Sequence, residues 1–483
     1  MKKSKKLLSL LLIASCLSAC TKTVQPESEI IPDDPEPVVT EEVSEAGVTD
    51  LRIMAPDVAF RDRLEAHWDK VDKDATESKD NQGHDTILTD GSHIVWKIPS
   101  SGPYADKYDQ DLTAALTTDR PEDAAERIDM YIVDSDHVRS YLSDDYSMDL
   151  RDGLGIGDDE MLDRFYGYTQ LGTDSGEVLR ALSWDADPGV LLYKRSVAKD
   201  VLGDDYQSKI IDSMLDLDTM KELAQKSAEA GYRFISAWDD TYPMYEASMD
   251  YSWQDGSEVR VDPMMMQWVM DNKEYCDNGW NHMTTRGSQK WAADLMDEDS
   301  VFGVFTYTSE IHNLMPSILG ADSEEQKSKS SELSFMGDFA VCSPPYKYEG
   351  TVQMLLTCPD TDNTELAASL YSDFVCDPDV LRSITEDPKF GEFTNTMSGM
   401  YAMADVEDDF EFFGGDNPYA TYEAIMENTF AGARSPIDRI CRKAFLESME
   451  GYIKGKASLD SARSLFESKI KDELPDVTGI TWP

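Results

Sequence analysis

The feature of this sequence that most constrains its fold is a recurring strand followed by an amphipathic helix. Residues 51–54, Leu-Arg-Ile-Met, are typical of a short strand, and the apolar face of a helix follows at Phe60, Leu64, Trp68 and Val71. Ile94, Trp96 and Ile98 then alternate as in a strand, a helical spacing covers residues 112–116, and residues 130–133 form a buried strand. Strand, helix and strand in this order favour a parallel sheet with crossover helices, which is an α/β fold.

The middle and the end of the chain continue this pattern. Asp218 is predicted to cap a helix that Gly231 closes, and residues 233–237 form the next predicted strand. From about Pro418 the sequence predicts mostly helices. The last helix is expected to open at Ser458, with an apolar side formed by Leu459, Ala462, Leu465, Phe466 and Ile470. The α/β body should therefore end in a helical C-terminal tail.

The N-terminal residues have the anatomy of a bacterial signal peptide. Four lysines precede an apolar run at residues 7–14, which is far shorter than the ~20 residues that span a bilayer. Residues 17–20, Leu-Ser-Ala-Cys, resemble a lipobox, which implies cleavage before Cys20 and a lipid on its thiol. An ordinary secretory signal with an incidental cysteine is the alternative. We predict a lipoprotein signal peptide at 1–20 and a disordered, Pro- and Glu-rich tether at 21–49.

Composition excludes several classes of partner. The chain has 95 acidic against 44 basic residues, a formal net charge of −51 at pH 7. Such a field repels nucleic acid and anionic lipid headgroups, so membrane contact is expected through the lipid alone. The folded part, from about residue 50 to 483, is too long for one small core and suits two lobes.

Motifs for metal and cofactor chemistry are missing from the sequence. The body has five cysteines without CxxC or Cys/His metal spacing, namely Cys276, Cys342, Cys358, Cys376 and Cys441. Buried free thiols are the simplest expectation for them, although spacing leaves their disulfide state open. The chain contains no HExxH, GxSxG or Walker sequence. We expect no cofactor and no metal site, with adventitious Ca²⁺ at the acidic runs left open.

Five stretches, in order along the chain, carry a family resemblance. They are residues 180–196 with Ser-Trp-Asp and Leu-Leu-Tyr-Lys, the strand at 301–307, the strand and helix at 352–374, the turn Phe-Phe-Gly-Gly-Asp-Asn at 412–417, and the tail at 455–462. Together they resemble extracellular solute-binding protein family 1, which contains maltose- and oligosaccharide-binding proteins. This chain departs from the family's pattern at Lys194 and Arg195, and near Tyr307.

The resemblance implies a type II periplasmic-binding fold: two α/β lobes joined by crossing hinge strands, with a ligand in the cleft between them. Lobe 1 is expected at 50–185 and 352–405, and lobe 2 at 186–351 and 406–483. It further implies a monomer that closes on a small solute, a sugar in chemical class, and passes it unchanged to the permease subunits of an ABC importer.

Candidate ligand-binding residues follow from the rule that ligands sit outside the carboxyl ends of strands in open α/β sheets. The predicted strand-end loops supply Asp57, Asp134, Asp136, Trp184, Asp185, Trp238 and Asp239. The family resemblance adds Tyr307 and Phe413. Aromatic rings suit the apolar face of a pyranose, and carboxylates accept hydrogen bonds from hydroxyls. The alternatives are core packing for the aromatic residues, and turns or helix caps for Asp134 and Asp136.

Three other functions stay open at this stage. The cleft could bind a solute other than a sugar. The chain could be a secreted carbohydrate-active enzyme, which needs a suitably spaced pair of carboxylates. A lipoprotein adhesin or scaffold would close on no small molecule.

Overall fold

The computed structural model of the chain describes the following residues: 49–77, 85–99, 106–121, 123, 126–204, 206–297, 300–318, 335–387, 389, 393–407, 410–429 and 434–483. They belong to one compact unit, Val48–Pro483. The predicted signal peptide, Cys20 and the tether, apart from its last residue Thr49, lie outside the described residues.

The strands are short, as expected for an α/β protein. In chain order they are β1 Asp50–Met54, β2 Thr86–Ile87, β3 His93–Lys97, β4 Met130–Asp134, β5 Ala181–Leu182, β6 Gly189–Lys194, β7 Ile235–Ala237, β8 Gln254–Asp255, β9 Glu258–Arg260, β10 Asn281–Thr284, β11 Gly303–Tyr307, β12 Phe339–Cys342, β13 Gln353–Thr357 and β14 Gly479–Thr481.

Helices alternate with these strands and dominate the C-terminal part. In chain order they are α1 Ala59–His67, α2 Lys73–Glu77, α3 Asp106–Leu116, α4 Leu150–Leu154, α5 Tyr166–Leu171, α6 Arg195–Leu202, α7 Tyr206–Asp212, α8 Leu217–Glu229, α9 Tyr242–Ala247, α10 Pro263–Asp277, α11 Gln289–Leu295, α12 Thr308–Ile318, α13 Thr364–Leu370, α14 Pro378–Glu386, α15 Met397–Ala404, α16 Tyr419–Met426, α17 Asp438–Ile453 and α18 Leu459–Glu473.

The first lobe is built on a six-stranded sheet with the order β2-β3-β1-β4-β13-β5. Strand β1 runs parallel to β3 and β4, as the alternation of strands and helices predicts. Strand β13 runs antiparallel to both of its neighbours, β4 and β5. All five residues of β4 are buried, because helices cover both faces of this sheet.

The second lobe repeats this arrangement. Strands β10 and β7 are parallel, and β11, β6 and β12 form an antiparallel set with β6 in the centre. The two sets join where the Gly303 N–H donates to the Phe234 carbonyl at 3.2 Å, next to a parallel bridge between Arg233 and Val301. The combined order is therefore β10-β7-β11-β6-β12.

The two lobes exchange strands. Strand β6 enters the second sheet directly after β5 of the first, and β13 enters the first sheet after β12 of the second. Each exchanged strand is antiparallel to both of its neighbours in the sheet that it joins. The connecting residues pair with one another through an antiparallel bridge between Pro188 and Glu349, and a further bridge joins Asp185 to Thr394. The segments around residues 188 and 349 thus cross side by side between the lobes, and the segment at residue 394 pairs beside the first of them.

The C-terminal tail packs on the second lobe. Helices α17 and α18 place Phe445 and Phe466 against the fully buried Trp253, with ring centroids 5.3 and 6.0 Å apart. Strand β14 then pairs in parallel with β9. Removing an aromatic ring of this kind from a core costs about 3–5 kcal/mol, so the tail is an integral part of this lobe.

Several local predictions are confirmed and three are corrected. Ser458 caps α18 by accepting from the Ser461 N–H, as predicted. The cap of α8 is Asp216 rather than Asp218, because Asp216 and Thr219 form a capping box. Helix α1 ends at His67, so Trp68 is buried beyond its end, and Leu465 of α18 is 45% exposed. All five body cysteines are buried and unbridged.

Candidate functional site

A cavity of about 370 Å³ lies where the two lobes meet at the crossing segments. Its wall includes residues after β4, after β7 and at the end of β11, together with the crossing segment and helices α9 and α17. This is the position at which ligands bind in open α/β sheets. The charged and aromatic residues of this wall include Asp136, Asp239, Tyr307, Glu349, Arg434 and Arg442. We call this space the interlobe cavity.

Close backbone contact holds the crossing segments together at the cavity floor. The Gly350 N–H donates to the Asp187 carbonyl at 2.7 Å, and the Gly189 N–H donates to the Tyr348 carbonyl at 2.8 Å. A β-carbon on Gly189 would lie 2.1 Å from the Tyr348 ring, and one on Gly350 would lie 2.1 Å from the Asp187 carboxylate. The absence of a side chain at both glycines therefore permits the crossing.

An ion pair spans the cavity from one lobe to the other. Arg442 of α17 binds both oxygens of Asp136, which follows β4, with N–O distances of 2.8 and 3.1 Å. The Arg442 Nε also lies 2.8 Å from the Glu246 carboxylate of α9. Burial acts to raise the pKa of Asp136, but the guanidiniums of Arg442 and Arg434 outweigh it and hold this pKa below its usual value. The bidentate pair is thus a charged tie between the lobes.

Glu349 is a buried carboxyl of the cavity wall with one oxygen left without a donor among the described residues. Arg434 donates to its Oε1 at 2.8 Å, and only 3% of its side chain is exposed. Burial raises the pKa of Glu349 to about 7, and Arg434 opposes that rise. Among the residues that the structure describes, no donor reaches the buried Oε2. An unmet buried acceptor of this kind costs about 1–3 kcal/mol, which a ligand's donor can recover.

Tyr307 and Arg286 form the second-lobe wall. The Arg286 guanidinium lies 4.4 Å from the centroid of the Tyr307 ring and is paired with Glu310. The Arg286 backbone N–H donates to Asp239 Oδ1 at 2.8 Å, which holds that strand-end carboxylate in place. Burial raises the pKa of Asp239, and it raises the pKa of Tyr307 to about 12. The phenol is therefore neutral near pH 7.

A smaller cavity of about 210 Å³ adjoins the interlobe cavity and shares Thr351 with it. Its wall includes Asp185 and Asp187 of the first crossing segment. Asp187 accepts from the Thr308 hydroxyl at 2.8 Å and from the Ser309 N–H at 2.9 Å, at the start of α12. Burial raises the pKa of Asp187 to about 6, and these hydrogen bonds oppose the rise. The hinge carboxylate thus holds a second-lobe helix.

Four of the sequence candidates lie at these cavities. Asp136, Asp239 and Tyr307 line the interlobe cavity, although they come from different strands of different lobes. Asp185 lines the adjoining one. The structure therefore brings together the residues that follow β4, β5 and β7, and the last residue of β11.

The other candidates lie elsewhere among the described residues. Trp184 is 1% exposed and packs on Phe60 of the first-lobe core, with ring centroids 4.4 Å apart. Trp238 is 3% exposed and packs on Trp268. Both indoles point into a core because they occupy the inward position after a strand. Neither lines a cavity named above.

The remaining carboxylates serve local structure. Asp57 accepts from the Ala59 N–H at 2.8 Å at the start of α1. Asp134 lies 2.6 Å from the His137 ring, and its hydrogen bond raises the pKa of that imidazole. The role of Asp134 agrees with the turn named as its alternative, whereas Asp57 does not cap α1, whose N-cap residue is Val58. Phe413 lines a different, apolar groove rather than the interlobe cavity.

Sequence reasoning missed the arginines and Glu349. Arg434 and Arg442 lie in the tail, and Glu349 lies in a crossing segment without a motif of its own. One sequence signal was available for Arg442. It lies next to the apolar positions Cys441, Ala444 and Phe445 of an amphipathic helix. A cation next to a buried helix face in a strongly acidic chain indicates a buried acidic partner.

Neither a metal site nor a membrane-spanning helix is found in the part of the chain that the structure describes. The described part of the chain holds no group of three or more His, Cys, Asp or Glu side chains placed to bind a metal ion. None of the described helices combines the length and apolarity that crossing a bilayer requires.

Comparison with known proteins connects this geometry to a fold. No protein-family model matches the sequence, and no curated protein matches it. Solved structures do match over nearly the whole chain. A crystal structure of an extracellular solute-binding protein of family 1 has a TM-score of 0.67 at 13% identity, covering 88% of this chain and 99% of its own.

Two further structures have the same architecture. The ABC transporter associated binding protein from B. animalis subsp. lactis Bl-04, in complex with β-1,6-galactobiose, has a TM-score of 0.58 at 15% identity and covers 90% of this chain and 100% of its own. The sugar-binding protein MalE from Xanthomonas citri has a TM-score of 0.61 at 10% identity, with coverage of 87% and 96%. The two-lobe, type II solute-binding fold is thereby confirmed, and these structural neighbours come from the family that the sequence resembles.

Proposed function

We propose that this protein binds a sugar or an oligosaccharide in the interlobe cavity and delivers it to the permease of an ABC importer. The observation that carries the proposal is the cavity itself, which lies at the strand ends of both lobes and joins Asp136 to Arg442 across them. Structures of sugar-binding proteins of ABC transporters share the whole fold, which supports the same kind of role here.

The chemistry of the wall suits a polyhydroxyl ligand. Tyr307 presents an aromatic ring at the cavity, and such a face packs well on the apolar face of a pyranose. Asp239 and Glu349 supply carboxylates that accept hydrogen bonds from hydroxyls, and hydrogen bonds to charged groups are the stronger kind. A sugar would therefore pack on the aromatic ring and also donate hydrogen bonds to the carboxylates.

Closure follows from the crossing segments. The lobes are connected there by short backbone pairings, which allow one lobe to rotate against the other as a hinge. A ligand shifts this equilibrium only by its differential affinity for the closed form. In the closed form both Asp136 of the first lobe and Tyr307 of the second reach the same ligand, so binding and closure are coupled.

We further propose extracytoplasmic anchoring through Cys20. The lipobox-like residues 17–20 support a lipid on that thiol, with the 21–49 tether between the membrane and the folded body. Substitution of Cys20 by Ala should abolish incorporation of radiolabelled fatty acid and release the protein into the medium. Retained labelling in that variant would contradict the anchor.

Binding is a better account of this site than catalysis. A glycosidase needs one carboxylic acid with a raised pKa that donates a proton to the leaving oxygen. Glu349, with a pKa raised to about 7, has that property, so the preference for binding rests on the structural neighbours, whose names describe binding proteins. A solute other than a sugar is the second candidate, because Arg286 Nε and Glu349 Oε2, unmet among the described residues, can also bind the polar groups of a peptide or a polyol.

The test is a thermal-shift and calorimetric screen of the purified protein against monosaccharides, oligosaccharides, peptides and polyols. At 100 times Kd, one-site binding stabilises by about 2.7 kcal/mol, which raises Tm by roughly a degree or more. We expect a shift with one related group of sugars, which are recovered unchanged. Recovery of cleaved sugar would indicate an enzyme, and a shift with peptides alone would remove the sugar assignment.

A further inference from the structure

We propose that Glu349 sets the chemical class of the ligand: its free carboxylate oxygen accepts a hydrogen bond from a ligand hydroxyl and excludes acidic sugars. This inference rests on the proposed sugar-binding function and goes further by naming the residue that selects uncharged sugars. Glu349 lines the interlobe cavity on the crossing segment, between the two lobes.

The first argument is the set of unmet groups on the wall. Among the described residues, Glu349 Oε2 is a buried acceptor without a donor, and Arg286 Nε is a buried donor without an acceptor. Sugar hydroxyls both donate and accept, so a sugar can meet both kinds of group. A ligand carboxylate only accepts. It could meet Arg286 but would leave Glu349 Oε2 unsatisfied.

The second argument is charge. The wall has three arginines, and each is already paired with a carboxylate: Arg286 with Glu310, Arg434 with Glu349, and Arg442 with Asp136 and Glu246. Asp239 lines the same wall. An anionic ligand would therefore compete with existing ion pairs and face surplus negative charge. Such repulsion rejects a wrong ligand as effectively as good contacts select the right one.

The experiment is run at about pH 8, above the Glu349 pKa of about 7, so that this carboxyl is ionised. It compares neutral oligosaccharides with uronic acid counterparts that differ by one carboxylate, using calorimetry on the wild-type protein and on E349Q, E349D and D438N. E349Q removes the charge with little change of shape. D438N is the matched control: Asp438 is also buried, lines neither cavity, and has both oxygens occupied by Ser435, so an amide fits there.

We expect wild type to prefer the neutral sugar by at least about tenfold, since hydrogen bonds to charged groups are worth that much. E349Q should weaken neutral-sugar binding about tenfold and reduce the discrimination to roughly threefold or less, whereas D438N should keep both wild-type values. E349D keeps the negative charge and should keep the preference for the neutral sugar over the uronate. It therefore tests the charge selection if E349Q does not fold.

Three outcomes would overturn the inference. Equal affinity of E349Q and wild type for the neutral sugar would remove Glu349 from the contact while leaving the sugar-binding function intact. Uronate binding to wild type as tight as neutral-sugar binding would remove the charge selection but not the transport role. Failure of every sugar to bind wild type would overturn both the inference and the proposed function.

Discussion

Two spaces in this molecule differ in size and in the charged residues of their walls, and the second of these differences identifies the candidate site. The interlobe cavity measures about 370 Å³. A groove formed by α7, β12, α16 and the turn near Phe413 measures about 640 Å³. We call it the apolar groove, because its wall includes Ile210, Ile211, Met214, Leu215 and Val341. Arg434 and Arg442 line the interlobe cavity and do not line this larger space.

One segment of chain serves both spaces. Residues 347 and 349 lie on opposite sides of the crossing segment, so that Lys347 lines the groove and Glu349 lines the cavity. Burial shifts both groups toward neutrality: it lowers the pKa of Lys347 and raises that of Glu349 to about 7. Lys347 has a local partner in the Pro344 carbonyl at 2.8 Å, whereas Glu349 shares a network that reaches the tail. Position and polar connectivity, rather than size, mark the cavity as the site.

The largest expected difference in the free energy of unfolding is between removing a cation from the interlobe cavity and removing one from the apolar groove. R442M leaves Asp136 and Glu246 without their guanidinium, and breaking one partner of a buried pair costs about 3–5 kcal/mol. K347M removes a desolvated amine whose stem already packs in the groove, so the free energy of unfolding should change by about 1 kcal/mol or less. Urea denaturation measures both, and equal losses would remove the contrast between the two spaces.

The second prediction concerns pH. Burial raises the pKa of Glu349 from 4.5 to about 7, so folding favours its protonated form. The stability that this provides is fully present below the unfolded value and is lost as pH rises through about 7, a change of about 3 kcal/mol. E349Q cannot titrate. Urea midpoints of wild type should therefore fall relative to E349Q as pH rises, and a constant gap between the two would contradict the assignment.

The third prediction tests the aromatic wall. Y307A removes the ring that Arg286 contacts at 4.4 Å and the face that a pyranose would use. Sugar affinity should fall roughly tenfold, the effect of a typical interface anchor. Y307F keeps the ring and should stay within about threefold of wild type. Calorimetry distinguishes the two, and an unchanged affinity in Y307A would place the ligand elsewhere in the cleft.

The smallest effect is expected in the apolar groove. Ile211 and Leu215 are 62% and 66% exposed, so I211S and L215S disturb little packing. Stability should change by about 0.5 kcal/mol or less, and sugar affinity should not change. A loss of affinity in either variant, measured by the same calorimetry, would show that the groove takes part in binding.

Local sequence patterns predicted the fold well because they depend on neighbours in the chain. The apolar run at 130–133 became the fully buried β4, and Ser458 became the cap of α18. The stretch at 180–196 became the crossing from β5 to β6. The cap of α8 was misplaced by two residues, because Asp216 and Asp218 are chemically equivalent and only backbone geometry selects between them.

The candidate site was only partly predictable. Strand-end logic found Asp136 and Asp239, since the carboxyl ends of strands are recognisable in a sequence. The same logic proposed Trp184 and Trp238, whose side chains turned inward to fill the cores of their lobes. A residue beyond a strand can face the cleft or the core, and packing of the whole lobe decides which.

The sequence by itself determined the alternation of strands and helices, and its family resemblance implied two lobes joined by crossing strands. Only the tertiary structure decided which charges meet. Arg442 and Asp136 are 306 positions apart in the chain, and Arg434 and Glu349 are 85 apart. Periodicity carries no information about such pairs, because they form only when the two lobes bring their strand ends and the tail to one cavity.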